Sequence, residues 1–269
     1  MRIAFMTFAC PEWDLAEVLG AAVELGYDGI EPRIDSQHGH GIEVELDTAG
    51  RAAVKRQAAE AGIDLCCLAT SLQFNKVGDD ERRRLHDDCR KRLELAADLG
   101  VPALRVFAGP VPEGHDLAGV MPLAAENLRQ AGEVAAACGV ELWLETHDTI
   151  SKAALAGQMV DLAAHPAVNI NYDVMHPYRY GEDLDETFAA LGNHIRHVHF
   201  HDSKATPGAP EITRFGQGEL PLLDILQRLR DGGFRGYLSG EWFNQQLGAT
   251  PRESLEHYIA ATRELLGQI

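Results

Sequence analysis

The chain has 269 residues, with 24 Lys and Arg against 41 Asp and Glu, a formal charge of −17. That length suits a plain eight-fold β/α barrel and is large for a lone sandwich or bundle; with 45% apolar and 24% charged residues it is neither disordered nor fibrous. The acidic balance argues against nucleic acid and anionic membranes, whose phosphates favour basic surfaces.

Short apolar or β-branched runs alternate with longer amphipathic stretches from end to end. Strands are expected at 2–7, 29–33, 64–70, 103–108, 140–146, 168–173, 196–202 and 236–242. Helices are expected near 13–25, 46–61, 80–99, 117–138, 151–164, 185–191, 221–230 and 251–266. A helix after every strand implies parallel βαβ units, because only a crossover returns the chain for parallel pairing. Gly26, Gly62, Gly100 and Gly139 each stop a helix just before the next strand, where the left-handed position favours glycine. An open doubly wound sheet also alternates in this way, but it usually carries a Gly-rich loop after its first strand. Here that place reads Thr7-Phe8-Ala9-Cys10-Pro11-Glu12. The expectation is an α/β protein, a single (β/α)8 TIM barrel spanning 1–269 as one domain.

Cys10, Cys66, Cys67, Cys89 and Cys138 are odd in number and form no Cys-x-x-Cys pair, which disfavours a disulfide framework or thiolate zinc site. The apolar opening soon meets Pro11, Glu12 and Asp14, too short for a secretory core, and no run reaches membrane-span length. A cytoplasmic protein is expected.

Catalytic groups of such barrels sit at the C-terminal ends of strands. The fifth strand delivers Glu145 there, the sixth Asp173, the seventh His199 and the eighth Glu241. Charges gathered at one mouth repel and cost desolvation; a divalent cation removes that conflict. Glu145, Asp173, His199 and Glu241 together make a three-oxygen, one-nitrogen set that suits Mn²⁺ or Mg²⁺, with Co²⁺ and Zn²⁺ also compatible. Each of the four alone has a bland reading, as a rim carboxylate, a turn cap or a core histidine. Their shared position in separate repeats favours the metal site.

His197, His199 and His201 share one strand face. His199 is the expected ligand, His201 with Asp202 shapes the rim or supports the ligands, and His197 lies deeper in a structural role. His176 is either a partner for a substrate hydroxyl or an exposed loop histidine before Pro177. Lys204 is either a substrate partner or a solvated lysine. Phe8 and Trp13 offer an apolar wall beside a substrate, with Trp13 equally suited to starting the first helix as a core residue. The polar stretch 33–41 reads as a lid or specificity loop.

At these residues the chain resembles the xylose-isomerase-like barrel superfamily of sugar isomerases and epimerases. That group includes D-tagatose 3-epimerase, hydroxypyruvate isomerase, inosose dehydratase and, more distantly, endonuclease IV. The resemblance rests on Asp173-x-x-His176, His199-x-His201-Asp202, the paired Glu145 and Glu241, and Phe215-Gly216-Gln217-Gly218-Glu219-Leu220, and runs from Gly29-Ile30-Glu31 to Glu241. It implies one metal held by Glu145, Asp173, His199 and Glu241, with the two glutamates as acid and base on a bound ketose. Endonuclease IV has further histidines after strands three and four, where this chain reads Ala69-Thr70-Ser71 and Phe107-Ala108-Gly109. DNA repair is therefore the weaker reading.

The expected chemistry is isomerisation or epimerisation of a ketose or keto-polyol through a metal-stabilised enediolate, with one glutamate removing a proton and the other returning it. Loss of a β-hydroxyl from that species makes a lyase the alternative, and a non-catalytic sugar-binding barrel is a third. Backbone N–H groups at Gly216 and Gly218 are a candidate phosphate seat. Related barrels often associate, so a homo-oligomer is allowed.

Overall fold

The computed structural model describes residues 1–204 and 211–269. In chain order it forms β1 (Arg2–Met6), α1 (Leu15–Leu25), β2 (Gly29–Glu31), α2 (Thr48–Ala61), β3 (Asp64–Leu65), β4 (Leu68–Gln73), α3 (Asp79–Leu99), β5 (Ala103–Phe107) and α4 (Leu117–Ala137). There follow β6 (Glu141–Glu145), α5 (Ala153–Ala163), β7 (Val168–Asp173), α6 (Met175–Arg179), α7 (Leu184–Leu191), β8 (Ile195–His199) and β9 (Asp202–Lys204). The chain ends with β10 (Glu211–Thr213), α8 (Leu222–Asp231), β11 (Tyr237–Gly240), α9 (Asn244–Leu247) and α10 (Pro251–Leu266).

The large sheet has the order β3-β2-β1-β11-β8-β7-β6-β5-β4, with parallel pairing. Its two ends, β3 and β4, are halves of one stave interrupted at Cys66 and Cys67. The Arg33–Ala69 bridge, with Ala69 N–H donating to Pro32 O at 2.9 Å, joins them into a ring. The chain forms the expected TIM barrel.

Alternation along the staves separates two environments. Ile3, Phe5, Ile30, Leu104, Val106, Leu142, Leu144, Ile170, Tyr172, Val198 and Leu238 face the helices and make up the apolar core. The opposite phase carries Glu31, Arg105, Glu145, Asn169, Asn171, Asp173, His197, His199 and Ser239, all buried. Successive strand side chains point to opposite faces, so this second set fills the lumen. The interior of the barrel is rich in polar groups, with Trp143 stacked beside His197, and most of the apolar mass lies outside the sheet.

Helix boundaries follow local chemistry. Asp14 and Asp183 form capping boxes with Glu17 and Glu186, and Thr250 does so with Glu253 ahead of Pro251. These caps satisfy backbone donors that a helix start leaves free; Asp14 therefore sets the first helix at Leu15 rather than at 13.

Two expectations about the elements need correction, and one element was not expected. The stave expected at 196–202 ends at His199, and Asp202–Lys204 leaves the barrel to pair antiparallel with Glu211–Thr213. The loop expected around His176 is the short helix α6, begun where Asp173 Oδ1 accepts from Met175 N–H at 2.8 Å. A further short helix, α9, follows the last stave.

Candidate active site

Glu145 closes β6, Asp173 closes β7, His199 closes β8, and Glu241 directly follows β11. Parallel register sets Asp173 beside His199 and His199 beside Ser239. One ligand atom from each of Glu145, Asp173, His199 and Glu241 lies within 4.8 Å of all the others. The first three are buried and Glu241 is half-buried.

The His199 ring anchors the group. Its Nδ1 lies 3.0 Å from Glu145 Oε1 and 2.9 Å from Glu241 Oε2. Burial opposes charge on this ring, but Glu241, Glu31 and Glu145 hold it well above the ordinary imidazole value. Burial also pushes the Glu241 carboxyl up; the adjacent His199 outweighs that and leaves it well below the usual carboxylate range. The Asp173 carboxyl is driven by burial up to about 6, against the pull of His201 and with help from Glu145 and Glu241.

The donor set fits a divalent cation. Three carboxylates and one imidazole, with no thiolate, match a hard ion that leaves positions for substrate oxygens. Among the described residues, neither ring nitrogen of the buried His201 has a hydrogen-bond partner, which leaves polar capacity at the cluster unused. His201 itself is buried, its Nε2 3.5 Å from Asp173 Oδ1.

The other expected site residues divide. His176 is buried rather than exposed, with Nε2 3.8 Å from Asp173 Oδ2 and its ring edge-on to His147 at 4.4 Å. Burial and His147 hold its ring well below the ordinary value. Phe8 packs against Phe243, two residues after Glu241 in the chain, with ring centroids 4.7 Å apart. Trp13 is half-buried against the core, just ahead of the cap of α1. Lys204 is not brought to the cluster: it is exposed, and its Nζ lies 2.9 Å from Glu211 Oε1. His197 is fully buried and deeper, as expected, stacked on Trp143 with ring centroids 5.3 Å apart.

The candidate phosphate seat is already filled by protein. Asp202 Oδ2 accepts from Gly216 N–H at 2.8 Å and from Gly218 N–H at 3.0 Å. A Cβ at Gly218 would lie 2.0 Å from Asp202 Oδ1, so glycine there serves loop packing. In the loop after β2, His40 is buried and its Nδ1 accepts from Ile42 N–H at 3.0 Å.

Two charged lumen residues were missed by sequence reasoning. Arg105, in the middle of β5, has Nε 3.3 Å from Glu145 Oε2 and donates from Nη1 to Thr70 O at 3.0 Å. Glu31 ends β2 within reach of His197 and His199. The signal for Arg105 was one charge in an otherwise apolar strand. His147 also belongs to this mouth: burial lowers its ring's affinity for a proton, but the Asp148 carboxylate at 2.8 Å and nearby Glu145 raise it to about 9.

A family model described as "Xylose isomerase-like TIM barrel" matches residues 19–265. The chain belongs to that family. It is 25% identical over 259 residues to fructoselysine 3-epimerase of Escherichia coli O157:H7, covering 90% of this chain and 92% of that protein. It is 29% identical over 257 residues to a putative hydroxypyruvate isomerase of Streptomyces coelicolor, covering 86% of each. The crystal structure of the IOLI protein with a bound zinc atom superposes with a TM-score of 0.87 at 18% identity, covering 100% of this chain and 99% of that one. A 3-dehydroshikimate dehydratase of Pseudomonas putida, 24% identical and covered by this chain over 37% of its length, and a probable 3-DHS dehydratase from Bacillus anthracis are also among the similar proteins. Among the described residues no helix is long and apolar enough to cross a membrane.

Proposed function

We propose that this chain is a divalent-cation-dependent isomerase or epimerase of a small ketose or keto-polyol, with Glu145 and Glu241 as its acid and base. The observation that carries the reading is the convergence of Glu145, Asp173, His199 and Glu241 at the barrel mouth. A cation held by these four, Mn²⁺ or Mg²⁺ first and Co²⁺ or Zn²⁺ next, supplies Lewis-acid polarisation of a carbonyl when bound. Glu241 follows β11, next to β8, and Glu145 ends β6, two staves away on the other side; each reaches His199 Nδ1 with one oxygen. Their placement suits removal of a proton beside the carbonyl by one carboxylate and its return by the other. His176 and His201, buried beside Asp173, offer hydrogen bonds to substrate hydroxyls, and Phe8 with Phe243 shields the site from water. Arg105 braces Glu145 from below.

The test is NMR of a ketose panel in D₂O with Mn²⁺-loaded enzyme. Solvent deuterium should enter the carbon beside the carbonyl of recovered substrate or product. Glu145→Gln and Glu241→Gln should each lower turnover by about 10²–10⁴-fold; full turnover in either variant would sink the two-carboxylate scheme. The relatives that are dehydratases favour a second reading, a keto-polyol lyase at the same site. Net water loss in place of exchange would select it.

A further inference from the structure

His199 has two ring nitrogens, and the lumen treats them differently. Nδ1 faces Glu145 and Glu241. On the other side Nε2 lies 3.1 Å from Glu31 Oε1. The second oxygen of Glu31 is engaged as well: Oε2 is 2.9 Å from His197 Nε2 and accepts from Ser239 Oγ at 2.6 Å. Glu31, His197, His199 and Ser239 are all fully buried.

Stability alone gives no reason for a carboxylate there, because an ion removed from water costs several kcal/mol even after relaxation. What the arrangement does achieve is a fixed orientation. Trp143 stacks on His197 with an interplanar angle of 19°, His197 and Ser239 hold Oε2, and Oε1 is thereby aimed at His199 Nε2. Asn171 Nδ2 lies 3.1 Å from both nitrogens of His199 and closes the remaining side. A carboxylate only accepts hydrogen bonds when ionised, and carboxylates face both nitrogens of His199. Once a cation takes the place of the proton at Nδ1, beside Glu145 and Glu241, the remaining N–H is on Nε2, where Glu31 Oε1 accepts it. Metal-binding histidines generally donate their other N–H to a carboxylate or carbonyl, which sets tautomer, ring angle and donor strength.

We propose that Glu31 is a positioning residue that holds His199 in the Nε2-protonated form, making Nδ1 the nitrogen donor to a divalent cation. This rests on the reading of Glu145, Asp173, His199 and Glu241 as a cation site. His197 and Ser239 act one step further out, by holding Glu31.

The test is Mn²⁺ binding by the full chain, measured by titration calorimetry and by electron paramagnetic resonance of the free ion, with no substrate present. Glu31→Gln keeps the size of the side chain but loses its charge; it should weaken Mn²⁺ by about 10–100-fold while circular dichroism shows a folded protein at the assay temperature. With saturating Co²⁺, the visible absorption bands of Glu31→Gln should shift, since the imidazole donor changes. Ser239→Ala removes one hydrogen bond to Glu31 and should weaken Mn²⁺ by a smaller factor. A folded Glu31→Gln with wild-type affinity and a wild-type Co²⁺ spectrum overturns the role of Glu31 and leaves the cation site standing. A wild-type chain that binds neither ion overturns both. If Glu31→Gln does not fold, Ser239→Ala decides: weaker Mn²⁺ binding supports the assignment and unchanged binding overturns it.

Discussion

Asp202 shows how one side chain can organise a loop next to a reactive centre. Its carboxylate accepts from Ser203 N–H at 2.9 Å, Gly216 at 2.8 Å, Gly218 at 3.0 Å and Leu220 at 3.4 Å. Charge-assisted bonds of this kind are the strong ones, and leaving buried donors unmet carries the full cost of their desolvation. Asp202→Ala should destabilise the protein by about 2–3 kcal/mol, a melting-point drop of roughly 5–10 °C. Calorimetry gives the size, and amide exchange should locate faster opening at 214–220. A melting point within a degree of wild type would contradict this. The same residue marks how far the sequence could be read. Gly216 and Gly218 were legible as an anion-binding turn and read as a candidate phosphate seat, but the anion they cradle is the protein's own Asp202, and chain spacing does not say which anion fills such a turn. Glu145, Asp173, His199 and Glu241 were legible because each ends an apolar run at the same place in its repeat. Glu31 was not, because its meaning comes from His197, 166 residues on, and Ser239, 208 residues on.

The elements were legible wherever period and caps agreed. Glycines after α1, α2 and α3 adopt left-handed conformations at Gly26, Gly62 and Gly100, as the repeat implied. The stave after α7 was overrun because 200–204 keeps the look of a strand while its backbone leaves the barrel at His199 for the β9–β10 hairpin; two kinds of sheet share one period. Helix α6 was hidden because Pro177, at its third residue, reads as a stop. Proline is tolerated in the first turn, where its missing N–H has no partner to lose. Helix α10 offers a quantitative check on capping. Thr250 Oγ1 accepts from Glu253 N–H at 3.3 Å while Glu253 Oε2 accepts from Thr250 N–H at 2.9 Å. Thr250→Ala should cost about 1 kcal/mol and lower the melting point by about 2–4 °C, with Mn²⁺ affinity unchanged because α10 lies outside the lumen. A loss of cation affinity in this variant would mean that the closing helix shapes the mouth.

At the scale of the whole molecule, the acidic lumen couples folding to pH and to cations. Burial places the Asp173 carboxyl at about 6, above its ordinary value of 3.8, so in the cation-free protein the folded state binds that proton more tightly than the unfolded chain does. The contribution is fully present below about pH 4 and is lost as pH rises through about 6, where the folded protein must keep a charged carboxylate beside Glu145 and Glu241. A divalent cation reverses the balance. It requires Asp173 deprotonated, so binding competes with the proton at low pH and meets a ready ligand above pH 6. Because a ligand stabilises only to the extent that it binds the folded state, a fixed excess of Mn²⁺ should raise the melting point more at about pH 7.5 than at about pH 5. Differencing melts with and without the ion at each pH cancels the other titrating groups that the ion does not touch. Asp173→Asn should shrink the increment at the higher pH and weaken its pH dependence, the remainder coming from the proton that His199 must also give up. An increment that is equal at both values, or larger at the acid one, would mean that proton and cation do not compete for Asp173, and would remove it from the set that holds the ion.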